Sequence, residues 1–163
     1  MKFNIEWAKE YVNLELKNNG ISVKKWRKGD CGIAFIQERI VEIPEPTTLN
    51  RFLICLHEIT HITRAEFHKG MKVYEYEYDC EMTVIKKAKE LGFKTKDYEH
   101  RAKGYITYCF AKAFNRNLNL EKANREVTDW LGIDLKKWDK YDRAFLTAKD
   151  NWKEWKVKLV KFE

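Results

Sequence analysis

Two histidines and a glutamate occur in the pattern HExxH within the stretch LICLHEITHI, residues Leu53–Ile62. Residues four apart on an α-helix lie one turn above each other, so His57 and His61 can direct both imidazoles at one point. Such a pair is typical of a zinc site. Glu58, about 100° further round the helix, can accept a proton from a zinc-bound water, because zinc lowers the pKa of that water to about 7.

The residues around this motif are uncharged, which favours a buried helix over an exposed one. They are Ile54, Cys55, Leu56, Ile59, Thr60, Ile62 and Thr63. Buried imidazoles and a buried carboxylate need partners, and a metal ion satisfies all three groups at once. The stretch therefore predicts a zinc site with Glu58 as general base. A histidine pair with a purely structural role is the alternative that the pattern leaves open.

A catalytic zinc ion usually has three protein ligands and one open position. The segment YEYEYDCEMTVIKKAKELG, residues 74–92, offers acids for the third ligand. As a helix, it places Glu77 and Glu81 on a line that becomes apolar further along and therefore faces the core. We expect Glu77 to be the ligand and Glu81 to hold a ligand histidine by its second ring nitrogen. The reverse assignment stays open, as does a β-strand for YEYEY, which would remove the helical phase.

The elements around these motifs predict an α+β domain. A helix is expected over residues 3–18, followed by a hairpin of Ile33–Ile36 and Ile40–Ile43. Thr47 or Thr48 caps the HExxH helix, which is expected to run to about Phe67. Further helices are predicted from near Tyr74 to Gly92, from Lys96 to Asn115, from a cap at Asn119, and through the charged segment that begins at Asp134. Residues 1–92 would form the core, and residues 93–163 a helical extension packed on it as one domain.

Composition narrows the class of protein. The chain has 163 residues, enough for one domain with a sizeable core. It has no apolar run of membrane-spanning length and no apolar signal region, so a cytoplasmic protein is expected, without a membrane partner. Its four cysteines are then expected to be buried free thiols. The net charge of +7 is spread along the chain and is compatible with weak, salt-sensitive contact with nucleic acid.

The combination of LHEITHI and EYDCEMTVI resembles the ImmA/IrrE-type zinc metallopeptidases and their small phage and mobile-element relatives. GIAFIQERIVEIPEPTT, just upstream, also resembles this family. The resemblance covers residues 31–92 well and continues more weakly through RAKGYITYCFAKAF and EKANREV. It implies a minimal zincin-like domain, in which a small sheet packs on the HExxH helix and on a following ligand helix.

The resemblance assigns roles to particular residues. His57, His61 and Glu77 match the ligands of one Zn²⁺ per chain, and Glu58 matches the general base. Two positions depart from the family pattern. Cys80 stands where a small alanine is usual and is expected to pack in its place. Glu81 stands where Asn or Asp is common, which leaves the choice of the third ligand open.

The implied reaction is hydrolysis of a peptide bond in a protein substrate, in which Glu58 takes a proton from water and passes it to the leaving amine. In such enzymes an edge strand before the active helix pairs with the substrate. Arg39, Ile40 and Val41, or alternatively Ile33–Ile36, are the candidates for that edge. Candidate donors to the oxyanion are His68, His100, Tyr105 and Tyr108, although both histidines are more simply interpreted as surface residues.

The sequence is also compatible with two other functions. The chain could be a non-catalytic, zinc-stabilised binding module that contacts nucleic acid or a protein partner through its basic surface. It could also be a peptidase fold that has lost activity and serves as a scaffold. The sequence does not define the substrate, the oligomeric state, or the role of Trp130, Trp138, Trp152 and Trp155, for which core packing is the simplest interpretation.

Overall fold

The computed structural model of the chain describes residues 2–114 and 120–136. Their elements, in chain order, are α1 (Ile5–Asn18), β1 (Ser22–Arg27), β2 (Ile33–Phe35), β3 (Ile40–Pro44), α2 (Leu49–Thr63), α3 (Val73–Glu90), α4 (Lys96–Phe114), a 3₁₀ turn (Leu120–Lys122) and α5 (Arg125–Leu131). The predicted α+β class is confirmed. None of the described helices combines the length and the apolar character that a membrane-spanning helix needs.

The sheet has three strands in the order β1-β3-β2. β2 and β3 form the predicted antiparallel hairpin, and the turn between them contains Arg39 at a φ of 53°. β1 was not predicted. It pairs in parallel with β3, with Ser22 opposite Ile40 and Arg27 opposite Pro44. β3 is therefore the central strand, which explains why Val41 and Ile43 are fully buried.

The central position of β3 corrects one expectation about the substrate edge. Ile40 and Val41 pair with β1 on one side and with β2 on the other, and Arg39 lies in the turn. These three residues therefore do not offer a free strand edge, because the backbone groups of a central strand are already used in its two ladders. The alternative candidate, Ile33–Ile36, contains β2, and β2 is an edge strand of the described sheet.

α2 begins where the sequence predicted, because the hydroxyl of Thr48 accepts a hydrogen bond from the backbone N–H of Arg51 at 3.2 Å. It ends at Thr63, about one turn before the expected end at Phe67. Every residue from Phe52 to Ile62 is buried, so the interpretation of the uncharged flanks is confirmed.

α3 is one continuous helix from Val73, so the strand alternative for YEYEY is excluded. α4 matches the predicted span to within one residue at its C-terminal end. The next α-helix, α5, is short and is capped by Asn124, whose side chain accepts a hydrogen bond from the N–H of Val127. The expected cap at Asn119 and most of the charged C-terminal segment, including Trp138, Trp152 and Trp155, lie outside the described residues.

The described residues divide into two compact units. The first contains the chain up to Gly70 together with Cys80–Tyr98, and the second contains Met71–Asp79 and the described residues from Glu99 onward. The first unit has an aromatic cluster around Phe52, whose ring lies within 6.2 Å of the rings of Phe3, Trp7, Tyr11 and Phe93. The second has a core that includes Tyr74, Ile106, Phe110, Phe114 and Val127. The expected division at residue 92 stays a prediction.

Candidate metal centre

α2 brings His57 and His61 together with their Nε2 atoms facing each other at 2.9 Å. The two rings stand almost perpendicular, at 87°, with centroids 4.6 Å apart. His57, His61 and the neighbouring Glu58 are between 7% and 8% exposed. Two ring nitrogens at this distance can share either a proton or a cation. The single turn of helix between the histidines therefore produces the convergence that the sequence predicted.

α3 supplies a partner to the opposite nitrogen of each ring. Oε1 of Glu81 lies 3.3 Å from Nδ1 of His57, and Sγ of Cys80 lies 3.4 Å from Nδ1 of His61. Because consecutive helical residues point about 100° apart, Cys80 and Glu81 reach different imidazoles. Both rings are thus approached at Nδ1, and their Nε2 atoms are left to face one point, which is how metal-ligating histidines are commonly held.

The surroundings of the second carboxylate oxygen of Glu81 indicate whether this site fits a cation. Glu81 is only 6% exposed, and Oε2 has no hydrogen-bond donor within the described part of the chain. The 3.3 Å approach of Oε1 to His57 is an ion-pair distance without the alignment of a hydrogen bond. A buried carboxylate in this situation is stabilised by positive charge nearby. The donor types and the burial therefore fit a metal ion at the imidazole pair.

Glu77, the expected third ligand, lies one turn before Glu81 on α3, on the same face of the helix. It is also 6% exposed. The hydroxyl of Tyr105 on α4 donates a hydrogen bond to Oε1 of Glu77 at 3.4 Å. The sequence had suggested Tyr105 only as a donor to substrate, and no spacing rule links residues 28 positions apart.

Gly32, directly before β2, lies against the side chain of Glu58. A Cβ at this position would be 2.3 Å from Cγ and 2.6 Å from Oε1 of Glu58, closer than real Cβ contacts allow. No motif in the sequence had indicated Gly32 as a residue of the site. The only signal for it was the GDCG stretch just before the predicted hairpin.

The loop that carries Gly32 is held by the first turns of α2. Nε of Arg51 forms a 2.7 Å ion pair with Asp30, and its Nη2 donates to the backbone carbonyl of Lys28 at 2.8 Å. Nδ2 of Asn50 donates a hydrogen bond to Oδ2, the other carboxylate oxygen of Asp30, at 3.3 Å. The same helix that carries Glu58 thus fixes the backbone that packs on it.

Cys55 lies two residues before His57, and its thiol donates to the carbonyl of Pro44 at 3.1 Å. Burial raises the pKa of this thiol to about 12, and the negative charge of Glu58 contributes to the increase. Cys55 therefore stays protonated at neutral pH and joins α2 to the end of β3. Cys55, Cys80 and Cys109 are buried as expected, but Cys31 is exposed, which corrects the expectation for that residue.

His68 is not the surface residue that we expected, because it is only 9% exposed. Ligand atoms of His61, His68 and Cys80 all lie within 4.8 Å of one another. In the sequence, two features could have indicated this group. His61 and His68 are seven residues apart, and Cys80 stands where the family that the chain resembles usually has alanine. His100, by contrast, is exposed on α4, as expected.

Neither the protein-family models, nor the curated proteins, nor the solved structures gave a significant match to this chain.

Proposed function

We propose that the protein is a zinc-dependent metallopeptidase of the ImmA/IrrE-like, HExxH type that hydrolyses a peptide bond in a protein substrate. His57, His61 and Glu77 hold one Zn²⁺, and Glu58 is the general base. The main support is the pair of Nε2 atoms 2.9 Å apart in a buried helix. Two imidazoles and one carboxylate are a ligand set typical of hydrolytic zinc sites.

The third ligand follows from the position of Glu81. Its Oε1 approaches Nδ1 of His57, on the side of the ring away from the converging nitrogens. A carboxylate at that nitrogen orients the imidazole and fixes the proton on Nδ1. Glu81 is therefore assigned to holding His57, which leaves Glu77, one turn earlier on the same face of α3, as the ligand.

The chain's own residues carry the proton transfers. A bound zinc ion would supply Lewis acidity that polarises the substrate carbonyl and acidifies a water. Glu58 takes the proton of that water and returns it to the leaving amine. The burial of Glu58 and its packing against Gly32 hold the carboxylate in one orientation. Preorganisation of this kind is what general-base catalysis requires.

The substrate backbone would pair with β2, one of the two edge strands of the described sheet. This strand starts directly after Gly32, and Gly32 touches Glu58, so a peptide along β2 would pass close to the base. Ile33 is 43% exposed and offers an apolar contact for a substrate side chain. Strand addition supplies main-chain hydrogen bonds for affinity, and pockets beside the strand supply specificity.

Metal analysis tests the proposal directly. Protein purified without chelator is expected to contain about one zinc per chain, and His57→Ala is expected to bind zinc much more weakly. His100→Ala, which changes an exposed histidine on α4, is the matched control and should retain the zinc. Wild-type protein that folds and contains no metal after purification without chelator would refute the proposal.

A second candidate, a non-catalytic binding module, is favoured by the surface of β1. Trp26 is 42% exposed there, and the neighbouring Lys24, Lys25 and Lys28 are also exposed. An aromatic ring among lysines can stack on a base while the ammonium groups contact phosphates. Salt-sensitive binding of single-stranded nucleic acid that is lost in Trp26→Ala would support this second candidate, and an absence of binding at low salt would remove it.

A further inference from the structure

His61 is shared between two groups of potential metal ligands. Its Nε2 faces His57, and its Nδ1 faces the sulfur of Cys80. We propose that His61, His68 and Cys80 form a second metal site, one that contains a thiolate, binds a thiophilic ion of the Zn²⁺ or Cd²⁺ kind, and competes with the proposed catalytic site for His61.

The distances within this group, which we name the sulfur site, suit one ion. Zinc bonds are about 2.3 Å to sulfur and 2.0–2.1 Å to an imidazole nitrogen. An ion bonded to both Sγ of Cys80 and Nδ1 of His61, which lie 3.4 Å apart, would have an angle of roughly 100° between these bonds. That angle is close to tetrahedral. His68 completes a group in which all ligand atoms lie within 4.8 Å of one another.

The residues of the sulfur site are placed by elements of the first unit. Cys80 is fully buried, and His61 is 8% exposed. His68 lies beyond the end of α2, where its backbone N–H donates to the carbonyl of Arg64 at 3.1 Å. His68 is 9% exposed, so the three residues of the sulfur site are all largely shielded from solvent.

Competition follows from the chemistry of a neutral imidazole, which has one nitrogen lone pair available while the other nitrogen carries a proton. An ion on Nδ1 of His61 therefore places the proton on Nε2. His61 is then lost as a ligand to the proposed catalytic site. This part of the inference rests on the proposed function, whereas the existence of the sulfur site does not.

The choice between the two sites depends on the metal. A site of two imidazoles and one carboxylate suits Zn²⁺ and harder ions, whereas a thiolate favours softer ions. Binding at the sulfur site forms a metal–sulfur bond and releases the thiol proton of Cys80 to solvent. Cys55 belongs to neither group of potential ligands among the described residues, and its thiol donates to the carbonyl of Pro44 instead. Cys31 is exposed and could bind Cd²⁺ on its own, so it must be removed in any test.

The test uses the full-length Cys31→Ser protein, freed of metal and titrated with Cd²⁺. We expect sulfur-to-cadmium charge-transfer absorption in the ultraviolet that saturates at one equivalent. Cys80→Ser should abolish this absorption, and His68→Ala should weaken the affinity at least tenfold. Cys55→Ser is the matched control for loss of a buried thiol and should leave the absorption in place. His57→Ala should retain it, because His57 belongs only to the catalytic site.

Absence of the absorption in the parent protein, or its persistence in Cys80→Ser, would overturn the sulfur site. If Cys80→Ser does not fold, the ¹¹³Cd resonance of the parent protein decides instead, since only a sulfur ligand moves it strongly downfield. Competition is tested by adding Cd²⁺ to the zinc-loaded protein. Release of one zinc per cadmium bound supports it, and full zinc retention with cadmium bound overturns it. Zinc content of the His57→Ala/Cys80→Ser double variant, in which the sulfur site lacks its thiolate, tests the proposed function separately.

Discussion

Oε1 of Glu81 lies 3.3 Å from Nδ1 of His57, although the two residues belong to different helices and are 24 positions apart. This distance connects the carboxylate of α3 to the orientation of an imidazole on α2. A carboxylate this close to Nδ1 favours a proton on that nitrogen, which leaves Nε2 available as a base or a metal ligand. The relationship therefore supports the proposal that Glu81 orients His57 and that Glu77 is the ligand, two roles that the sequence alone had left exchangeable.

Glu77→Gln and Glu81→Gln are expected to differ in metal affinity. Loss of a ligand carboxylate should remove bound zinc, whereas loss of a carboxylate that orients a ligand typically weakens metal binding by about 10–100-fold. Zinc affinity measured by chelator competition should therefore fall much further in Glu77→Gln. Glu75→Gln, on a different face of α3, is the control for a lost charge. If Glu81→Gln were the variant without zinc, the two assignments would have to be exchanged.

The helices were predictable because their periodicity and caps are local. Thr48 and the uncharged residues of α2 fixed both the start of that helix and its burial. β1 was missed because its sequence, SVKKWR, is largely exposed and carries charge on both faces. Its strand form depends on pairing with β3, and parallel partners are not recognised by a local pattern.

The two histidines and Glu58 could be predicted because a helix turns their fixed spacing into geometry. The contacts that position them could not be predicted in the same way. Gly32 and Cys80 approach the motif from a loop and from another helix, respectively. Contacts between residues so far apart in the sequence depend on how the helices and strands pack together. The spacing of residues along the chain carries no information about that packing. The central position of β3 was not predicted for the same reason, since strand order is a property of the whole sheet.

Glu58→Gln is expected to retain zinc and stability and to lose peptide hydrolysis by about 10²–10⁴-fold. The amide has nearly the same shape as the carboxylate but cannot accept the proton of water. The measurement is cleavage of the substrate, once identified, together with the zinc content of the same preparation. Unchanged biological activity in this variant would show that the protein acts by binding.

Gly32→Ala is expected to reduce hydrolysis while zinc binding is retained. The added Cβ would lie 2.3 Å from Cγ of Glu58, so the side chain of the base must move. Gly29→Ala is the matched control, because its Cβ would meet only Sγ of Cys31, at 3.8 Å, an ordinary van der Waals distance. Equal activity of the two variants would mean that Glu58 does not need its present position.

Cys55 makes stability depend on pH in the alkaline range. Its pKa is about 12 in the folded chain, against a reference value of 9.0. Between these values the unfolded chain loses this proton while the folded chain keeps it, so stability falls as pH rises. The contribution is about 1.4 kcal/mol per pH unit at most. Cys55→Ser removes this titration, and its unfolding free energy should therefore decline less steeply from pH 9 upward in urea titrations. Cys31→Ser, at an exposed thiol, is the control, and equal slopes in the two variants would contradict the assignment.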